Sequence, residues 1–188
     1  MFDFSTAESL PEATGVTYLQ PGKYTAVLTD VEKKDTKPDK SPAMTCTFTA
    51  ISEDPELNGA IATADFFITP KSLRRLQTLH MGCFGAEAQT QLSTAEEVIA
   101  YFKACVPKAK PAKMVIGGRI WNNKVYNDLP FSNFFVSEAE ADSFTEGAFE
   151  VNSSIFQKYM TSDIKTINLK GDSDSDFGST EDEDFGAF

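Results

Sequence analysis

Arg119 and Trp121 stand two residues apart, so on an extended strand both side chains leave the same face. Lys124 and Tyr126 repeat that spacing just past Asn122-Asn123, a hairpin-turn signal. A cation beside an aromatic ring is the combination that holds a single-stranded nucleic acid. The cation takes a phosphate and the ring stacks a base, each stacked base contributing about 1–3 kcal/mol. More cations gather in three places. Lys33, Lys34, Lys37 and Lys40 crowd a segment interrupted by Pro38 and Pro42, Lys71, Arg74 and Arg75 open a helical stretch, and Lys108, Lys110 and Lys113 form a connector. Phe67 offers a further ring on a third strand. Plainer roles stand beside each: Trp121 capping a core, Tyr126 on a strand whose parity is open, loop lysines guarding a sheet edge.

Other chemistry finds little to build on. His80 is the only histidine, so no second one completes a nucleophile–base pair. There is no Gly-Xaa-Ser-Xaa-Gly, Walker loop or HExxH motif, and an enzyme is not expected. His80 and Cys83 have a ligand-like spacing without a matching second pair, so no metal and no cofactor are expected. The Asp176-Phe-Gly178 and Asp184-Phe-Gly186 triplets lack the glycine-rich loop and strand lysine of a kinase.

These two triplets lie in the last 18 residues, Gly171 to Phe188, which carry seven acidic side chains and no Lys or Arg. So little apolar surface cannot offset the entropy of ordering, and a disordered acidic tail is expected over 171–188. Asp182, Glu183, Asp184, Phe185 and Phe188 are its candidate partner-binding and autoinhibitory residues. A solubilising tail is the simpler alternative.

Positioning the cations and rings falls to a β-rich body. Pro21-Gly22 marks a turn, and Lys23 to Lys33 reads as a first strand. Residues 34–42 form a loop. Ala43 to Glu53 alternates, with Met44, Cys46, Phe48 and Ala50 on one face and threonines on the other. Ala60 to Thr69 is a third strand, with Phe66 inward and Phe67 outward. The period then becomes helical: Ser72 caps a helix carrying Leu73, Leu76 and Leu79, and Thr94 with Glu97 forms a capping box for a second helix ending at Val106. Met114 to Asn122 and Lys124 to Val136, the latter broken near Pro130, close the series. Residues 154–160 suit a short helix and 164–169 a short strand.

Three strands, a helical insert and a hairpin predict a mainly β fold, a five-stranded OB-type Greek-key barrel. The expected organisation is an arm over 1–20, the barrel over 21–136 with its insert at 71–106, an extension over 137–170 packed on or near it, and the tail. A sandwich would give a similar string. In an OB barrel the first loop and the fourth–fifth hairpin flank the ligand face, which suits Lys34, Lys37 and Lys40.

The totals agree. A chain of 188 residues with net charge −11 draws seven of those negative charges from the tail, leaving a nearly balanced body. Three cysteines form no framework, and neither a signal peptide nor a membrane-length apolar run is present, so a cytoplasmic location without membrane contact is expected.

Together the acidic Glu181-Asp-Glu-Asp-Phe-Gly-Ala-Phe188 ending and the basic, aromatic body resemble the phage-type single-stranded DNA-binding proteins. The opening strand, Leu19-Gln-Pro-Gly-Lys-Tyr-Thr-Ala-Val-Leu-Thr-Asp-Val-Glu-Lys-Lys, resembles one that begins many small phage replication proteins. The resemblance implies non-specific single-stranded DNA binding in replication or recombination. It also implies a tail that competes for the DNA groove and recruits polymerase, helicase-primase or nuclease. The Gly-Ala-Phe ending departs from the Pro-Phe ending of bacterial relatives. A strand-annealing recombination protein, an acidic protein-interaction or DNA-mimic protein, and a virion component remain alternatives. A homo-oligomer is compatible with all of them.

Overall fold

The computed structural model describes residues 16–37, 39–85, 91–121, 124–151 and 153–160, without the side chains of Ile120, Trp121, Lys124 and Glu138. Five antiparallel strands follow one another as β1 (Gly22–Lys34), β2 (Ala43–Ala50), β3 (Ile61–Phe67), β4 (Ala112–Trp121) and β5 (Lys124–Asp128). Their order in the sheet is β3-β2-β1-β4-β5. Helices α1 (Leu73–Phe84) and α2 (Ala95–Cys105) lie in the chain between β3 and β4. A short α3 (Glu138–Ala141), a two-residue β6 (Gly147–Ala148) and α4 (Ser154–Lys158) follow β5.

The alternation in β2 and β3 is what the sequence predicts. Met44, Cys46, Phe48, Ala62, Ala64 and Phe66 are buried, and the threonines of β2 face outward. β1 alternates only as far as Leu28. There the register against β2 slips, and the next core residue is Val31. This β-bulge reverses the parity of the rest of the strand. Lys33 turns toward α2, where it pairs with Glu96 at 3.3 Å, and Lys34 turns to the outer face. Gly22 begins β1 where β6 crosses, and a Cβ there would strike the Gly147 carbonyl and the Tyr24 hydroxyl.

The helices close the core from the inner side. Thr94 and Glu97 make both halves of the predicted capping box on α2. Ser72 does not cap α1 with its side chain. It belongs to a 3₁₀ turn, Pro70–Ser72, whose cap is Thr69. The helix therefore starts at Leu73, which faces solvent, and the buried stripe is Leu76, Leu79, His80 and Cys83. His80 is a core residue: its ring stacks on Tyr101 at 5.6 Å, and Nε2 meets the Tyr101 hydroxyl at 2.9 Å. Burial pushes the Cys46 thiol up, and the Cys83 thiol up to about 12, so neither is a ready nucleophile.

The sheet is not a closed barrel, against the five-stranded closure expected. Its two ends, β3 and β5, are joined by a side chain instead of a ladder. Asn127 Oδ1 accepts from Thr63 N at 3.2 Å, and Asn127 Nδ2 donates to the carbonyls of Leu19 and Ile61. The fifth strand is also shorter than the predicted Lys124–Val136. It ends at Asp128, two residues before Pro130, and the chain then folds back so that Phe135 bridges Met114. Residues 159–160 lie against β4, with Gly118 N donating to the Tyr159 carbonyl at 3.2 Å. No helix among the described residues is long and apolar enough to cross a membrane. The predicted strand at 164–169 and the acidic tail lie outside the described residues.

Candidate functional site

A groove of about 470 Å³ opens on the outer face where the two ends of the sheet meet. One bank is β3. Because its inward residues are Ala62, Ala64 and Phe66, period two sends Thr63, Asp65 and Phe67 outward. The other bank is Asn127, Asp128 and the segment after it, including Phe131. Lys34 reaches the groove from β1 because of the bulge, Arg119 from β4 by ordinary alternation, and Arg75 from α1.

Two rings are open to solvent here. Phe67 is 49% exposed, at the end of β3, and Phe131 is 73% exposed. Phe131 follows Pro130 in the break after β5, a segment read in sequence only as an interruption. An isolated Phe in a strand break carries no period, so exposure alone reveals it.

Arg75 holds this corner together. Its guanidinium carbon lies 4.7 Å from the Phe66 ring centroid, 5.5 Å from Phe131 and 6.0 Å from Phe134. Nη2 donates to the Leu129 carbonyl at 3.3 Å. Burial lowers its pKa, opposed chiefly by Asp128. Such contacts are worth about 0.5–2 kcal/mol each, more as water is excluded.

The charges partly cancel. Lys34 Nζ pairs with Asp65 Oδ2, and the Thr45 hydroxyl donates to Asp65 Oδ1 at 2.8 Å. Burial raises the Asp128 carboxyl above its ordinary value, opposed by Leu129 N, Arg119 and Arg75. Two carboxylates among three cations make the floor of the groove close to neutral. It therefore suits base edges and rings better than a run of phosphates.

Of the predicted binding residues, the groove gathers Lys34, Phe67, Arg75 and Arg119. Tyr126 lies directly opposite Arg119 in the β4–β5 ladder, on the same face, and is 39% exposed. Lys37 and Lys40 are exposed in the β1–β2 loop, with Lys40 N donating to the Lys37 carbonyl at 2.8 Å. Trp121 and Lys124 are paired at the end of the β4–β5 ladder, and their side chains lie outside the described residues. Lys37, Lys40 and Tyr126 do not line the groove themselves, and Arg74, Lys110 and Lys113 are not brought to it either. Arg74 is exposed and does not line it, since consecutive helical residues diverge by about 100°. Lys110 follows α2 and donates its N–H to the Cys83 carbonyl at the end of α1. Lys113 Nζ donates to the Ala141 carbonyl at 3.0 Å and lies over the Phe144 ring, so it anchors the extension. Asp182, Glu183, Asp184, Phe185 and Phe188 lie outside the described residues.

Among the described residues, no group of three or more His, Cys, Asp or Glu side chains is arranged to hold a metal. The chain matches no protein-family model and no curated protein.

Proposed function

We propose that the chain binds single-stranded DNA without sequence choice, through an OB-type sheet left open between its third and fifth strands. The order β3-β2-β1-β4-β5, with helices between the third and fourth strands, supports the OB reading. The observation that carries the binding reading is the groove itself. It unites Lys34, Arg75 and Arg119 with the open rings of Phe67 and Phe131, on the face that OB folds use for oligonucleotides. Bases stack at the rings, while phosphates follow the rim and the Lys37–Lys40 loop. By its resemblance to phage proteins, the chain acts in replication or recombination. The 171–188 segment then serves as a tethered anionic competitor and as the contact for replication enzymes.

Fluorescence anisotropy with labelled oligo-dT tests this reading. Affinity should fall steeply with salt, because each neutralised phosphate releases counterions. Residues 1–170 should bind more tightly than the full chain, most visibly at low salt. Phe131→Ala should weaken binding about 5- to 150-fold, the equivalent of one stacked base. No binding by residues 1–170 in dilute buffer sinks the reading. A strand-annealing assay on complementary oligonucleotides separates it from the recombination alternative.

A further inference from the structure

We propose that Asp128 gives this groove, which reads no defined sequence, a compositional bias toward cytosine over thymine, an inference that rests on the single-strand reading above. The two groove carboxylates differ in what they have left to offer. Both oxygens of Asp65 are engaged, one by Lys34 and the other by the Thr45 hydroxyl. Asp128 Oδ1 accepts from Leu129 N at 2.8 Å, while Oδ2 takes neither a hydrogen bond nor an ion pair from any described residue. An acceptor with spare capacity therefore stands in the same groove as the exposed Phe67 and Phe131 rings.

Oδ2 keeps access to solvent in the unbound groove, and a base that closes over it removes that solvation, so a ligand that supplies a donor is favoured over a ligand that does not. Cytosine presents its N4 amino group where thymine presents the O4 carbonyl, and aspartate is a matching acceptor for N4. The thymine carbonyl would instead face a carboxylate oxygen. Arg75 and Arg119 complete the match. They are donors in the same groove, and the remaining Watson–Crick edge of cytosine, N3 and O2, consists of acceptors. Both arginines also favour the ionised form of Asp128. The two pyrimidines have rings of the same size, so their comparison isolates the polar edge from stacking.

The experiment is an anisotropy titration of residues 1–188 with labelled oligo-dC and oligo-dT of equal length, in neutral buffer of low salt. The expected result is a dissociation constant about fivefold or more lower for oligo-dC. In Asp128→Asn the preference should vanish or reverse, since the oxygen that accepts from Leu129 N leaves the amide NH2, a donor, facing the base. That variant keeps an oxygen for Leu129 N, and a thermal melt checks its fold. Equal binding of the two oligonucleotides by the parent chain, or a preference that survives Asp128→Asn intact, overturns the proposal while leaving the single-strand reading standing. Failure of both oligonucleotides to bind residues 1–170 as well overturns both.

Discussion

Arg75 is held by shape as much as by charge. Three phenylalanine rings and the Leu129 carbonyl surround its guanidinium, and one of those rings is the exposed Phe131. Arg75→Lys keeps the charge but loses the planar fork that stacks on rings. If the guanidinium steadies Phe131 for a base, Arg75→Lys and Arg75→Met should both weaken oligonucleotide binding, by about three- to tenfold. Full affinity in the lysine variant would reduce Arg75 to a point charge. Asp128 supplies a stability test of its own. Its folded pKa lies above its ordinary value because of burial. The folded chain therefore holds that proton more tightly than the unfolded chain does. Stability falls as pH rises from the ordinary carboxylate range through the raised value, and stays lower above it. Asp128→Asn should then melt higher than the parent at neutral pH and lose that advantage in acid. A variant that melts lower at neutral pH contradicts the assignment. At this scale the sequence showed residue types but few neighbours. Lys34, Phe67 and Arg119 were recoverable from cation and ring positions, whereas Phe131 and the acceptor role of Asp128 depend on how the chain turns after β5.

Regular elements were the most legible part. Period two in β2 and β3 and the Thr94–Glu97 box could be read because each is a local pattern with a local cause. Thr94→Ala should cost about 1 kcal/mol in urea denaturation, through loss of the α2 cap. The bulge in β1 could not be read, because Asp30 is a poor strand former but marks no particular register; the slip is set by pairing with β2. Yet it is the bulge that turns Lys34 to the groove. The contact between α1 and the returning chain was equally hidden. Gly82 lies under the Phe135 ring, and an added Cβ would overlap that ring. Gly82→Ala should therefore destabilise the fold by about 1–3 kcal/mol despite the better helix propensity of alanine. Equal or greater stability on a denaturant curve would show that Phe135 moves aside without cost.

The molecule as a whole is an antiparallel sheet fastened at its open seam by one amide. Removing Asn127 leaves Thr63 N–H and two carbonyls without that partner. Asn127→Ala should cost about 1–3 kcal/mol and speed hydrogen exchange at Thr63 more than in β1, the centre of the sheet. Uniform exchange across both strands would mean that the seam is held in some other way. The strand succession pointed to a barrel, since order along the chain is readable. Whether the last ladder closes is decided by two segments far apart in sequence, and no local pattern encodes it.

The same topology bears on how the chain emerges during synthesis. β1 pairs on one flank with β2, a short loop away, and on the other with β4, so that Gly22 faces Ile116. A ribosome that has released residues 1–111 has produced a β1-β2-β3 meander in which β1, the middle strand of the finished sheet, is still an edge. Until β4 arrives, that naked border can pair with any neighbouring nascent chain. Pauses in translation before Ala112 should therefore lower the yield of soluble product more than pauses after Trp121.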